Sequence, residues 1–242
     1  MSLLFVHEAE GREYLLAPGD TLETDLGILE VPEDVDPGDT VQTHLGTTFT
    51  VRRLRGPDLF HHLERTGAPM MPRDVGLVVG HTGIGSDDRV LDAGTGTGVL
   101  AAALGRIGAT VVTFERDPEF AETARENMRL AGVDDAVGVR TGDLTDHLPE
   151  LSGFDVLTLD TEDAPDVVAH APNLLVRGGF VAVYSPFVED TREVVEQARE
   201  VGLADVRTLE TIQREVDFDD RGSRPSTAGV GHTGYLTFAR LP

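Results

Sequence analysis

The 242-residue chain has no cysteine, no tryptophan and no lysine. Without cysteine, neither a disulfide framework nor a thiolate zinc site can form. No apolar run approaches the ~20 residues that a membrane span requires. The opening MSLLFVHEAEG lacks the basic flank and cleavage pattern of a secretory leader. A soluble cytoplasmic protein with no membrane attachment is the expectation. The length allows one full α/β domain and a small extra module.

Bases are scarce: 20 arginines stand against 43 acids, a formal charge of −23. Excess acid with no lysine and few large aromatics resembles proteins of salt-in halophiles. At about 1 M salt the Debye length is about 3 Å, so repulsion across such a surface is screened. The acidity is therefore read as an adaptation to solvent and says little about function.

The stretch Arg89 to Glu115, RVLDAGTGTGVLAAALGRIGATVVTFE, organises the rest. The apolar pair Val90-Leu91 leads into Asp92-Ala93-Gly94-Thr95-Gly96-Thr97-Gly98. A helix-compatible segment follows, then a second apolar run ending in Glu115. Strand, glycine turn, helix, strand and acid is the order of a nucleotide-binding unit. Alternate glycines let the backbone turn sharply and approach a ligand. Glu115 lies 21 positions after Gly94, where a carboxylate at a strand tip can accept both ribose hydroxyl protons. A dinucleotide fingerprint seats a pyrophosphate on its glycines. Here Asp92 precedes them, and an acid there suits a cationic ligand with an amino group and a sulfonium better.

Upstream, short β-like runs at Tyr14–Leu16, Gly27–Val31 and Thr47–Leu54 alternate with turn signals such as Pro18-Gly19-Asp20. They predict a small antiparallel barrel or sheet over residues 1–55. Residues 56–75 join it to a catalytic unit over 76–242. His61 and His62 lie beside Glu64, but neighbouring helical residues point about 100° apart, so no metal site is expected. Downstream, helices are predicted over Val75–Gly83, Asp117–Leu130, Val167–Leu175 and Thr191–Val201. Strands are predicted over Val137–Thr141, Phe154–Leu159, Phe180–Tyr184, Ala204–Ile212 and Gly234–Ala239, with Gly178-Gly179 ending a helix. This alternation predicts an α/β fold, a Rossmann-like parallel sheet with helices on both faces. Ligands of such sheets sit outside the carboxyl ends of the strands, and Asp92, Glu115, Asp143 and Asp160 all fall there.

The DAGTGTG loop resembles the first motif of class I S-adenosylmethionine (SAM) methyltransferases. Further residues narrow the likeness: Met71-Pro72-Arg73-Asp74-Val75-Gly76, Tyr184-Ser185-Pro186, Arg224-Pro225 and Gly231-His232-Thr233-Gly234-Tyr235-Leu236 with Ala239-Arg240. Together they resemble archaeal tRNA (adenine-N1)-methyltransferases, over nearly the whole chain. The resemblance implies methyl transfer from SAM to N1 of T-loop adenosine, position 57 or 58, in tRNA, by a homotetramer. It implies that Asp92, Gly94, Thr95, Gly96, Thr97, Gly98, Glu115 and Asp143 hold the cofactor, with Asp143 on the adenine amino group. Asp160 matches the active-site aspartate, facing both cofactor and acceptor. Arg73, Asp74, Tyr184, Arg224 and His232 fall on the substrate side. Two departures concern the acceptor pocket: Met71 stands where the family usually has a tyrosine, and Asp160-Thr161-Glu162-Asp163-Ala164-Pro165 lacks the family's aromatic. The glycine loop also suits the isoaspartyl-repair methyltransferases, a small-molecule SAM methyltransferase is a neighbouring alternative, and a non-catalytic RNA-binding subunit is a reading from another class.

Overall fold

Six short strands build the N-terminal part of the computed structural model, which describes residues 2–229 and 231–242. They are β1 (Leu3–His7), β2 (Arg12–Leu16), β3 (Thr21–Thr24), β4 (Gly27–Glu30), β5 (Thr40–Gln42) and β6 (Thr48–Arg53). β2, β1, β6 and β5 form an antiparallel sheet in that order, and β3 pairs with β4. Phe5, Leu29, Phe49 and Val51 are buried between them. The three predicted runs are β2, β4 and β6. Of the others, β3 and β5 are short and polar and stand because neighbours complete their ladders, whereas β1, LLFVH, is apolar and buried between β2 and β6.

Residues 56–75 carry α1 (Gly56–His62) and the first turn of α2 (Pro72–Thr82). Pro72 at the first helical position supplies a fixed φ at no hydrogen-bond cost. Gly83, in the left-handed conformation at φ 73°, ends the helix.

The remaining elements are β7 (Arg89–Ala93), α3 (Val99–Ile107), β8 (Thr110–Glu115), α4 (Pro118–Ala131), β9 (Val137–Thr141), a 3₁₀ helix (Leu144–Glu150), β10 (Phe154–Leu159), α5 (Ala164–Ala169), α6 (Ala171–Leu174), β11 (Leu175–Ser185), α7 (Val188–Glu200), β12 (Ala204–Glu210), β13 (Val216–Asp219), β14 (Gly222–Pro225) and β15 (Tyr235–Arg240). Asp117 caps α4 by accepting from the backbone N–H groups of Glu119 and Phe120, as its place before Pro118 predicts.

Seven strands form one sheet in the order β12-β15-β11-β10-β7-β8-β9. Alternate side chains feed two apolar layers. Val90, Val156 and Ala182 pack with Val78, Leu104 and Met128 of α2, α3 and α4. Leu91, Leu157 and Val183 pack with Val167, Leu174 and Val194 of α5, α6 and α7. Helices therefore cover both faces, and apolar residues run continuously along each central strand.

The sheet departs from the predicted parallel pattern at one place. β15 lies antiparallel between β11 and β12. It is reached from β12 through the β13–β14 hairpin rather than through a helical crossover, which only a parallel neighbour needs. A second correction concerns Gly178-Gly179, which lie inside β11 and do not end a helix; the preceding helix stops at Leu174. A Cβ on Gly179 would lie 2.9 Å from the carbonyl oxygens of Asp155 and Val176. The glycine thus permits close backbone approach where the β10–β11 register slips. Among the described residues, no helix is long and apolar enough to cross a membrane.

Candidate active site

Strand order reverses at β7, which has β8 on one side and β10 on the other. A cleft must open there, at the carboxyl ends of the strands. The structure has a cleft of about 360 Å³ at that point, with Gly94, Gly96, Glu115, Asp143 and Asp160 among its lining residues. Such a volume suits a nucleoside-sized ligand.

The glycine turn forms the floor. Gly94 has φ +85°, and a Cβ there would fall 1.9 Å from the carbonyl oxygen of Asp160. The Asp160 N–H donates to the Ala93 carbonyl at 2.9 Å, so the turn and the acid are locked together through backbone. Glu115 accepts from the Gly96 N–H at 2.9 Å with one oxygen and from the Asp117 N–H at 3.1 Å with the other. These bonds orient its carboxylate while leaving lone pairs for two hydroxyl donors. Asp143 caps the 3₁₀ helix. Its Oδ1 accepts from the Thr145 N–H at 2.8 Å and hydroxyl at 2.7 Å. Those bonds hold its carboxyl below the usual range, so it stays an acceptor at neutral pH.

Asp160 behaves in the opposite way. It sits at the base of a concave site, and burial, followed by repulsion from Asp92, pushes its carboxyl up to about 7. The side chain is nevertheless reached by solvent through the cleft mouth. Water there screens part of the penalty.

Asp92 does not stand beside Glu115 and Asp143 on the wall of the main cleft. It is buried, with 4 % of its surface exposed, and burial raises its carboxyl. It reaches only a side hollow of about 40 Å³, shared with Met70, Gly94, Thr97 and Asp160. Thr95 and Gly98 border the same hollow.

Three of the substrate-side residues meet at Thr233. Arg73 donates to the Thr233 hydroxyl at 2.7 Å, and that hydroxyl donates to Asp74 at 3.2 Å. The Tyr184 phenol donates to the Thr233 carbonyl. Burial, then the charge of Asp160, raises Tyr184, which places this knot beside the acid. His232 lies at the same edge of the sheet, bonded to Glu210 at 2.7 Å and 5.1 Å from the Tyr235 ring. Arg224 is apart from them, exposed on β14 opposite Asp217.

Several contributors are absent from the sequence reading. Thr66, Gly67 and Ala68 form one wall of the cleft. Their segment is clasped to the glycine turn by Asn127, whose amide donates to the carbonyls of Glu64 and Thr97 at 2.8 Å each. Arg116 spans the rim to Glu162 at 2.9 Å and Asp163 at 3.2 Å. Thr113 and Thr158 hold Asp92. Their signal was present: Thr113 interrupts the apolar run Val111-Val112-Phe114, and Thr158 the run Val156-Leu157-Leu159.

The sheet order, the glycine turn at the reversal and the acids beyond it define the class I SAM-dependent methyltransferase fold. The solved structures with this fold include a SAM-dependent O-methyltransferase from Thermotoga maritima, with a TM-score of 0.81 and 24 % identity over 99 % of this chain and 92 % of that one. The tRNA (m1A58) methyltransferase TrmI of Aquifex aeolicus gives 0.75 and 23 % over 99 % and 96 %. The chain belongs to the family described as tRNA methyltransferase complex GCD14 subunit, whose profile matches residues 59–222. It is 32 % identical to the tRNA (adenine(57)-N(1)/adenine(58)-N(1))-methyltransferase TrmI of Methanocaldococcus jannaschii, over 97 % of this chain and 93 % of that protein.

Proposed function

We propose that the protein is a SAM-dependent tRNA methyltransferase that methylates N1 of adenosine 57 or 58 in the T-loop. The observation that carries this reading is the convergence of Glu115, Asp143 and Asp160 on one cleft at the strand-order reversal. The near full-length likeness to the M. jannaschii enzyme supports the choice of acceptor. The cleft fits the cofactor: Glu115 offers paired acceptors to ribose hydroxyls, Asp143 an ionised acceptor to the adenine amino group, and the glycines of the turn leave room for the remainder. When bound, SAM supplies an electrophilic methyl group on a sulfonium.

N1 of adenine carries an in-plane lone pair at neutral pH, so the protein has no proton to remove from the nucleophile. Its task is alignment, which can supply several kcal/mol of the barrier. Methylation leaves a positive charge shared between N1 and the exocyclic nitrogen. Ionised Asp160, accepting a hydrogen bond from that amino group, stabilises the charge as it develops. The T-loop base must leave its stack to present its Watson-Crick edge, and the Arg73–Asp74–Thr233–Tyr184 knot gives the acceptor side a rigid wall.

In this reading residues 1–55 are a β module that helps seat the tRNA, residues 56–75 a connector, and residues 76–242 the catalytic unit of a cytoplasmic homotetramer. The −23 charge belongs to a halophilic surface. RNA binding then leans on shape and stacking, and its affinity changes little with salt. Of the arginines near the β module, Arg52 is held by Glu8 at 2.6 Å, while Arg53 and Arg55 are exposed.

Methyl-labelled SAM and unmodified tRNA in concentrated KCl test the function directly. Label at N1 of a T-loop adenosine is expected, and Asp160→Ala lowers turnover by about 10²-fold or more while S-adenosylhomocysteine still binds. Label elsewhere, or none, refutes the assignment.

A further inference from the structure

Strands β8 and β10 each set a threonine beside Asp92. The register pairs Asp92 with Thr113 on one side and with Thr158 on the other. One row of side chains therefore crosses the sheet beneath the glycine turn. Thr113 donates to Oδ2 of Asp92 and Thr158 to Oδ1, both at 2.5 Å. A hydroxyl has one proton to give, so in the 2.5 Å contact between Thr95 and Thr113 the donor is Thr95. Every hydroxyl in the row thus points its dipole toward a carboxylate, the arrangement an anion needs.

The charged groups that push Asp92 and Asp160 up are themselves acids. The charged groups acting on Asp92 are Glu115 on β8 and Asp160 after β10, both acidic. Asp160 faces Asp92 from β7 and Tyr184 from β11, and Arg73 and Asp74 of α2 also act on Tyr184. The hollow of about 40 Å³ is bounded by both carboxylates. Two acids bordering one hollow, each raised by its acidic neighbours, do not both ionise freely.

We propose that Asp92 and Asp160 form a charge-reading pair that keeps one proton until a cationic ligand arrives, so that the site prefers the sulfonium donor to its neutral thioether product. The threonine row is what lets Asp92 hold its negative charge in the interior. The inference rests on the reading of the cleft as a SAM site. The balance is simple: arrival of the cation sends one proton from the pair to solvent, leaving Asp160 ionised and ready to accept from an adenine amino group. Once the methyl group has gone the ligand has lost its positive charge, the pair takes a proton back from solvent, and the spent cofactor is held less tightly.

Calorimetric titration of the full chain in concentrated KCl, repeated in buffers of different ionisation enthalpy near pH 6.5, counts the protons exchanged. With SAM we expect release approaching one proton, and with S-adenosylhomocysteine clearly less. The preference for SAM over S-adenosylhomocysteine should rise about tenfold between pH 6 and pH 8, the span in which a single linked proton is lost. Asp92→Asn should flatten that rise. Thr158→Val should shift it along the pH axis, and Thr158→Ser, which restores the donor, should return it. Equal proton counts for the two ligands, or a preference independent of pH in the unaltered protein, would overturn the proposal. Failure of both ligands to bind would instead remove the cofactor reading, and this inference with it.

Discussion

Replacing Gly94 by alanine strikes the point where the glycine turn and Asp160 meet through backbone. The new Cβ would meet the Asp160 carbonyl oxygen at 1.9 Å, against the 3.4 Å where ordinary contact begins. No flexible side chain can yield there, so the Asp160 backbone itself must retreat, straining its bond to Ala93. The left-handed conformation at φ +85° adds a cost of about 1–2 kcal/mol for any residue with a Cβ. Overpacking adds about 1–3 kcal/mol, so a total loss of about 2–5 kcal/mol is expected. A displacement of about 1 Å at the reacting centre costs about 10²-fold in rate. Thermal unfolding and single-turnover methyl transfer to unmodified tRNA measure the two effects. Gly80→Ala is the control: it lies inside α2 with nothing within 4 Å of its Cβ, and it should stabilise by about 0.5–1 kcal/mol. If Gly94→Ala folds as well as Gly80→Ala and keeps its turnover, the shared-backbone argument is wrong.

Other perturbations separate the remaining parts. Asp143→Ala should weaken SAM binding by about tenfold, a lost charge-assisted hydrogen bond, and lower stability by about 1 kcal/mol through the lost 3₁₀-helix cap; unaltered affinity in a binding titration would remove Asp143 from the cofactor site. Asn127→Ala deletes two donations and one acceptance that clasp the connector to the glycine turn; a loss of about 3 kcal/mol is expected in urea unfolding, and a loss below about 0.5 kcal/mol, typical of a surface substitution, would show the clasp to be slack. Asp160 keeps its proton to about pH 7 in the folded chain, whereas an unfolded aspartate loses it near 3.9. The folded state therefore binds more protons between those values, and this residue's contribution to stability falls as pH rises through that window. Asp160→Asn should accordingly gain in melting temperature over the unaltered protein at pH 8 but hardly at pH 4, and an equal gain at both would refute the shift.

Where one stretch of chain contains its own explanation, the residues revealed the structure. The unit from Arg89 to Glu115 is such a stretch: apolar runs, alternate glycines and the closing acid are all local signals, and β7, the turn, α3 and β8 follow them. Asp117-Pro118 and Gly132 likewise marked the two ends of α4. Features that depend on partners far along the chain were harder to see. Gly178-Gly179 reads as a breaker, because nothing nearby reveals that the β10 backbone passes within van der Waals contact. The antiparallel entry of β15 is a property of the whole sheet. Asp92 shows a third kind of limit. Its position before the glycines marks it as important, but only the register of β8 and β10 shows that two threonines enclose it.

The placing of β15 has a consequence for how the protein comes into being on the ribosome. Among the described strands β12 touches the large sheet only through β15, and β15 is the last of them to be synthesised. A nascent chain can therefore assemble β7 to β10 and the cofactor cleft while the Thr233 knot is still inside the exit tunnel. Docking of β15 on β11 then completes the Thr233 knot and brings β12 onto the sheet.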